Sequence, residues 1–150
     1  MTVQPFSLGP GEVLIREGLV RPPSTPGEPA RLIASRCPAC GDVAFPAKVR
    51  CGKCEETRLT ETLLSPTARV YAWTLVRQTV SGYELPNLVA MVKVPEDDTL
   101  LILTQIKGCE PDRIRPGMEV TCVMAHLYTS LMGQRVMGYA FTPVEGGDRP

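Results

Sequence analysis

The stretch Cys37-Pro38-Ala39-Cys40-Gly41-Asp42-Val43-Ala44-Phe45-Pro46-Ala47-Lys48-Val49-Arg50-Cys51-Gly52-Lys53-Cys54 carries four of the chain's six cysteines as two C-x-x-C pairs, ten residues apart. A tetrahedral four-thiolate site needs two pairs of sulfurs, each on a tight turn whose amides face them. Gly41 after the first pair and Gly52 inside the second supply the backbone freedom such turns use. The segment between the pairs is long enough to leave one knuckle and return as part of a ribbon. Four thiolates hold zinc, a single iron or an iron–sulfur cluster, and the compact double knuckle favours zinc. With Cys37, Cys40, Cys51 and Cys54 all ligating, no coordination position stays open, so such a zinc is structural and activates no water. One divalent ion against four thiolates leaves a net charge of minus two, which Lys48, Arg50 and Lys53 are placed to offset.

Outward from this centre, composition narrows the function. The chain has 150 residues, with Lys plus Arg and Asp plus Glu both at 16 and a formal net charge of zero. That balance lacks the excess cation with which nucleic-acid binders displace counterions from phosphate. No apolar run approaches the roughly 20 residues of a membrane-spanning helix. The start, Met1-Thr2-Val3-Gln4-Pro5, shows no basic lead and no apolar core of a secretory signal, so a cytoplasmic protein is expected. In that compartment thiols stay reduced, and six cysteines point to metal rather than to disulfides.

Fifteen prolines and 13 glycines disfavour a helical protein. Residues 57–144 read as strands. Ala68–Val76 is long and rich in β-branched and aromatic residues, and Leu88–Val94, Thr99–Ile106, Met118–His126 and Arg135–Phe141 follow it. Ser81–Asn87 is a turn-like excursion, and Pro95-Glu96-Asp97-Asp98 is a tight hairpin connection. Five strands in so short a span predict a closed antiparallel barrel of the OB type, since a sandwich generally needs about seven. Residues 1–30 form an arm. Its Glu12–Val20 segment is expected to make two or three helical turns, with Val13, Leu14 and Leu19 on one side, before the proline-rich connector Pro22–Pro29. The expected plan is mainly β: the arm (1–30), a rubredoxin-like zinc ribbon (31–56), a five-stranded OB barrel (57–144) and a mobile tail (145–150).

Chemistry beyond the ribbon is sparse. Cys122 alternates with Val120 and Met124, which places it on a buried strand face as a small hydrophobe. His126, the single histidine, shares that parity. Four steps along the strand separate the two by about 13 Å, too far for a nucleophile and its base. G-x-S-x-G, G-x-G-x-x-G and G-x-x-x-x-G-K-[ST] are all absent. No catalytic residues are therefore assigned.

The run Arg31–Gly41, then Phe45-Pro46-Ala47-Lys48 and Cys51–Cys54, resembles the zinc-ribbon plus OB-fold proteins of the DUF35 family. Arg69–Thr74, Leu88–Val94 and Arg115–Val120 are similar to that family's first strand, second strand and late turn. The resemblance covers roughly residues 31–144. One difference is that the family often has Phe-Pro-Pro-Arg where this chain has Phe45-Pro46-Ala47-Lys48, losing a rigid proline and a forked guanidinium. The resemblance implies a non-catalytic accessory subunit of a thiolase-like acyl-CoA acyltransferase, acting on a 3-oxoacyl-CoA by thiolysis or condensation. The reactive residues would lie on the larger chain of a hetero-oligomer. The small chain would shape the coenzyme A channel, with the CoA thioester as a shared ligand. On that basis Phe45, Pro46 and Tyr83 are candidates for apolar partner contact, and Lys48, Arg50 and Arg77 for CoA phosphates. Two alternatives remain: a partner of an acyl-CoA retro-aldolase or hydratase, and a single-stranded nucleic-acid module, since OB folds and ribbons both serve there.

Overall fold

The computed structural model describes residues 7–25, 27–79 and 81–144; the expected tail at 145–150 and the first six residues of the arm lie outside that range. Among the described residues there are ten strands and no helix: β1 (Glu12–Leu14), β2 (Val20–Arg21), β3 (Arg31–Arg36), β4 (Val43–Ala44), β5 (Thr60–Leu63), β6 (Thr67–Val76), β7 (Asn87–Val94), β8 (Asp97–Gln105), β9 (Glu119–Thr129) and β10 (Arg135–Pro143). No helix long and apolar enough to cross a membrane is present among them.

The helical arm expected over Glu12–Val20 is not found. Its residues form β1, which runs parallel to β10 with Glu12 opposite Arg135 and Leu14 opposite Met137, and β2, which pairs with β3. The physical reason lies in two glycines and two open edges. Gly11 and Gly18 adopt φ of 74° and 81°, left-handed values that end a helix before it completes three turns. The extended alternative satisfies backbone groups at once. Ile15 N–H donates to Met137 O at 2.8 Å, Arg135 N–H to Gly11 O at 2.8 Å, and Ile33 N–H to Leu19 O at 2.9 Å.

The strand order β1-β10-β9-β6-β7-β8 makes the five long strands an OB-type barrel. β6 serves both halves: Thr67–Arg69 pair with β9, and Arg69–Val76 pair with β7. A bulge between Val70 and Ala72 lets one strand turn that corner. Alternation then separates the faces. On β7, Leu88, Ala90, Val92 and Val94 are buried, while Val89, Met91 and Lys93 face outward. Closure between β8 and β10 is thin. It consists of one parallel bridge, Ile106 to Phe141, with Lys107 N–H donating to Phe141 O at 2.9 Å. Two side chains complete the seam: Tyr139 Oη donates to Leu103 O at 2.9 Å, and Gln105 Nε2 to Leu127 O at 3.1 Å.

β3 is the spine of the ribbon and pairs with β2, β4 and β5. Its inward residues Leu32 and Ala34 join Leu64 and the barrel residues Val92, Val120, Cys122 and Phe141 in one buried cluster. Ala30 N–H donates to Cys122 O at 3.1 Å just before the ribbon, and Ser65 N–H to Glu96 Oε2 at 2.6 Å just after β5, so the chain is anchored in the barrel on either side of the ribbon. Phe45 meets Tyr139 edge to face, with ring centroids 5.5 Å apart. That contact sets the ribbon's tip on the barrel seam.

Candidate metal centre

The two knuckles share one backbone plan. In the first, Gly41 N–H donates to Cys37 O at 2.8 Å and Cys37 N–H to Asp42 O at 2.9 Å. In the second, Glu55 N–H donates to Cys51 O at 3.1 Å and Cys51 N–H to Glu56 O at 2.8 Å. The residue four places after the leading cysteine takes left-handed backbone in both: Gly41 at φ 81° and Glu55 at φ 65°. Gly52, expected to ease the second turn, has no such conformation; it gives room to Lys48, whose Nζ would lie 3.4 Å from a Cβ there.

Folding gathers the four sulfurs so that all lie within 4.8 Å of one another. Cys37 Sγ is 3.4 Å from Cys54 Sγ, and Cys40 Sγ is 3.6 Å from Cys51 Sγ. A tetrahedron with zinc–sulfur bonds of about 2.3 Å has edges of about 3.8 Å, so the donor set and its size fit one zinc ion. Backbone amides face the leading sulfurs: Cys40 N–H donates to Cys37 Sγ at 3.5 Å, and Lys53 N–H to Cys51 Sγ at 3.4 Å. The N–H groups of Cys54 and Lys53 bring the Cys51 thiol down to about 7. At Cys54 the Glu56 amide pulls the same way, but the crowded sulfurs, Cys37 first, and desolvation outweigh it and push the thiol up to about 12. Sulfurs this close resist ionising together, and a divalent cation removes that conflict. Of the expected compensating cations, Lys53 is engaged by Asp42, its Nζ 3.2 Å from Oδ1, which clips one knuckle to the other. Cys37 and Cys51 are buried while Cys40 and Cys54 are exposed.

The other candidates are dispersed. Phe45 is half-buried against Tyr139, leaving Pro46, Lys48 and Arg50 exposed along the ribbon's outer loop. Val49 between those two cations is 88% exposed. Tyr83 lies away from the ribbon, stacked on Tyr128 with centroids 5.0 Å apart, beside a cleft of about 340 Å³ lined also by Ser81, Thr129 and Leu131. Arg77 is exposed in the segment after β6. Sequence reasoning passed over Leu131 and Met132, 95% and 86% exposed at the β9–β10 turn. Two adjacent large apolar residues before a glycine, at a turn, were the available signal. Cys122 is fully buried, and desolvation pushes its thiol up to about 12. His126 bonds to Thr129 Oγ1 at 3.2 Å, so these two residues make no nucleophilic pair.

A four-cysteine ribbon seated on an OB barrel defines a two-module, all-β metal-binding class. Residues 28–60 match the family model described as "ChsH2, rubredoxin-like zinc ribbon domain", and residues 61–125 match "ChsH2, C-terminal OB-fold domain". A DUF35 domain-containing scaffold protein of Methanocaldococcus jannaschii is 32% identical over 118 residues, 76% of this chain and 82% of that protein. Its counterpart in Pyrococcus furiosus is 32% identical over 120 residues, 78% of this chain and 86% of that one. The chain belongs to the DUF35 family. The fold is shared with a solved structure described as "Ltp2-ChsH2(DUF35) aldolase", at a TM-score of 0.62 and 24% identity over 75% of this chain and 84% of that one.

Proposed function

We propose that the chain is a non-catalytic, zinc-braced scaffold subunit of a cytoplasmic acyl-CoA-processing complex whose larger chain has a thiolase-like fold and carries the reactive residues. The observation that carries this reading is the relatedness to DUF35 scaffold proteins over most of their length. The site chemistry agrees with it. Four protein sulfurs complete the metal's coordination and leave no place for substrate. The reaction assigned to the complex is thiolysis or condensation of a 3-oxoacyl-CoA. Pro46, Lys48 and Arg50 on the ribbon, Tyr83 in its loop and Arg77 are the proposed contacts to partner and to CoA phosphates. Phe45 acts through Tyr139 by holding that loop in place.

Native purification of the tagged chain tests this directly. A larger thiolase-fold chain should co-elute and turn over 3-oxoacyl-CoA. A partner that instead cleaves or hydrates an acyl-CoA by retro-aldol or hydratase chemistry would replace the acyltransferase by the second reading, which the naming of the matched solved structure as an aldolase favours. A monodisperse monomer with no acyl-CoA-processing companion would overturn both.

A further inference from the structure

The same four sulfurs that fit a zinc ion are arranged for a second, metal-free state. The contacts of 3.4 Å between Cys37 and Cys54 and of 3.6 Å between Cys40 and Cys51 both run from one knuckle to the other. Each joins an exposed cysteine, Cys54 or Cys40, to a buried one, Cys37 or Cys51. We infer that the ribbon is a peroxide-responsive switch in which oxidation expels the zinc and leaves two crossed disulfides, Cys37–Cys54 and Cys40–Cys51. This rests on the zinc assignment and adds a regulation to that site.

Exposure sets the order of events. Hydrogen peroxide reaches the Cys40 or Cys54 thiolate first, and the thiolate attacks one peroxide oxygen to give a sulfenic acid and hydroxide. The buried thiolate of the opposite knuckle, Cys51 or Cys37, then attacks that sulfenic sulfur; the S–S bond forms as the S–O bond breaks, releasing a second hydroxide. Each disulfide thus gives two electrons to one peroxide, and the two hydroxides take protons from solvent. Two such events consume all four thiolates, and Zn²⁺ leaves for solvent. Crossed pairs span 17 and 11 residues, whereas a bridge inside a knuckle spans three. Longer closed loops constrain the unfolded chain more, so crossing holds the ribbon shut without metal.

Trypsin separates bridges between the knuckles from a bridge inside the first, because Arg36, Lys48, Arg50, Lys53 and Arg58 divide the region into peptides 37–48, 51–53 and 54–58. The zinc-loaded full chain is treated with excess hydrogen peroxide while a chromogenic chelator follows the metal, then alkylated and digested without reduction. One zinc per chain should be released, and the three peptides should appear as one covalent species. Dithiothreitol with zinc should restore the starting form. In the Cys40→Ser variant, oxidised in the same way, Cys37 can choose its partner: 37–48 should couple to 54–58 and leave 51–53 unlinked, whereas coupling of 37–48 to 51–53 would overturn the assigned pairing. Peptide 37–48 recovered unlinked with its own internal bridge, or zinc retained with four alkylatable thiols, would overturn the switch. A chain that carries no zinc before peroxide is added would instead overturn the metal assignment, and the release step with it.

Discussion

Glu55 stands in left-handed backbone at the position that Gly41 fills in the other knuckle. A side chain there costs on the order of 1 kcal/mol relative to glycine. Glu55→Gly is therefore expected to stabilise the metal-loaded protein by about that amount in urea unfolding; no gain would mean that the second turn stores no such strain. A pH effect belongs to Cys122. Burial lifts its thiol from 9.0 to about 12 in the folded chain, so the unfolded chain ionises first. Below 9.0 both states are neutral and the contribution is flat. Above it, stability falls by about 1.4 kcal/mol per unit until the folded thiol titrates. The stability of the native sequence should thus drop relative to Cys122→Ala as pH climbs through that window, when both are followed by urea unfolding. A constant difference between them would count against a desolvated sulfur.

At the scale of elements, β8 and β10 close the barrel through one bridge and the Tyr139 hydroxyl, while Gln105 reaches past them to Leu127 O on β9. Tyr139→Phe removes the hydroxyl that donates to Leu103 O and is expected to cost about 1 kcal/mol. A double-mutant cycle of Phe45→Leu and Tyr139→Leu should return a coupling of about 0.5–1.5 kcal/mol for the edge-to-face pair. A coupling of zero would place the ribbon tip off the seam. These joins also mark the limit of what local sequence reveals. The barrel strands were legible from runs of β-branched and aromatic residues bounded by turn signals, with clean alternation in Leu88–Val94, and the cysteine cluster because its spacing is itself the geometry. The seam was not, since Tyr139 and the carbonyl it meets are 36 residues apart. Nor was β1: three residues carry no period, and the edge they join, starting at Arg135, lies more than a hundred residues away. Glu55 escaped notice because its conformation is imposed by the knuckle and not by its own preference.

For the molecule as a whole, a metal held by the four cysteines is expected to brace the knuckles, while the barrel is held by its own strand pairings. Removing zinc with a chelator, or one ligand by Cys40→Ser, is expected to speed amide exchange across residues 31–56 and to weaken partner retention, while β7 and β8 stay protected. Uniform exchange over the whole chain would show that the metal braces the barrel too. Leu32, Ala34 and Leu64 share their buried cluster with Val120, Cys122 and Phe141, so the boundary between the two matched modules passes through a common interior. A chimaera cut between residues 60 and 61 would leave a greasy scar on both halves, and one trimmed after residue 125 would discard β10 and open the cylinder. For transplantation into another assembly, this protein is a single indivisible cassette.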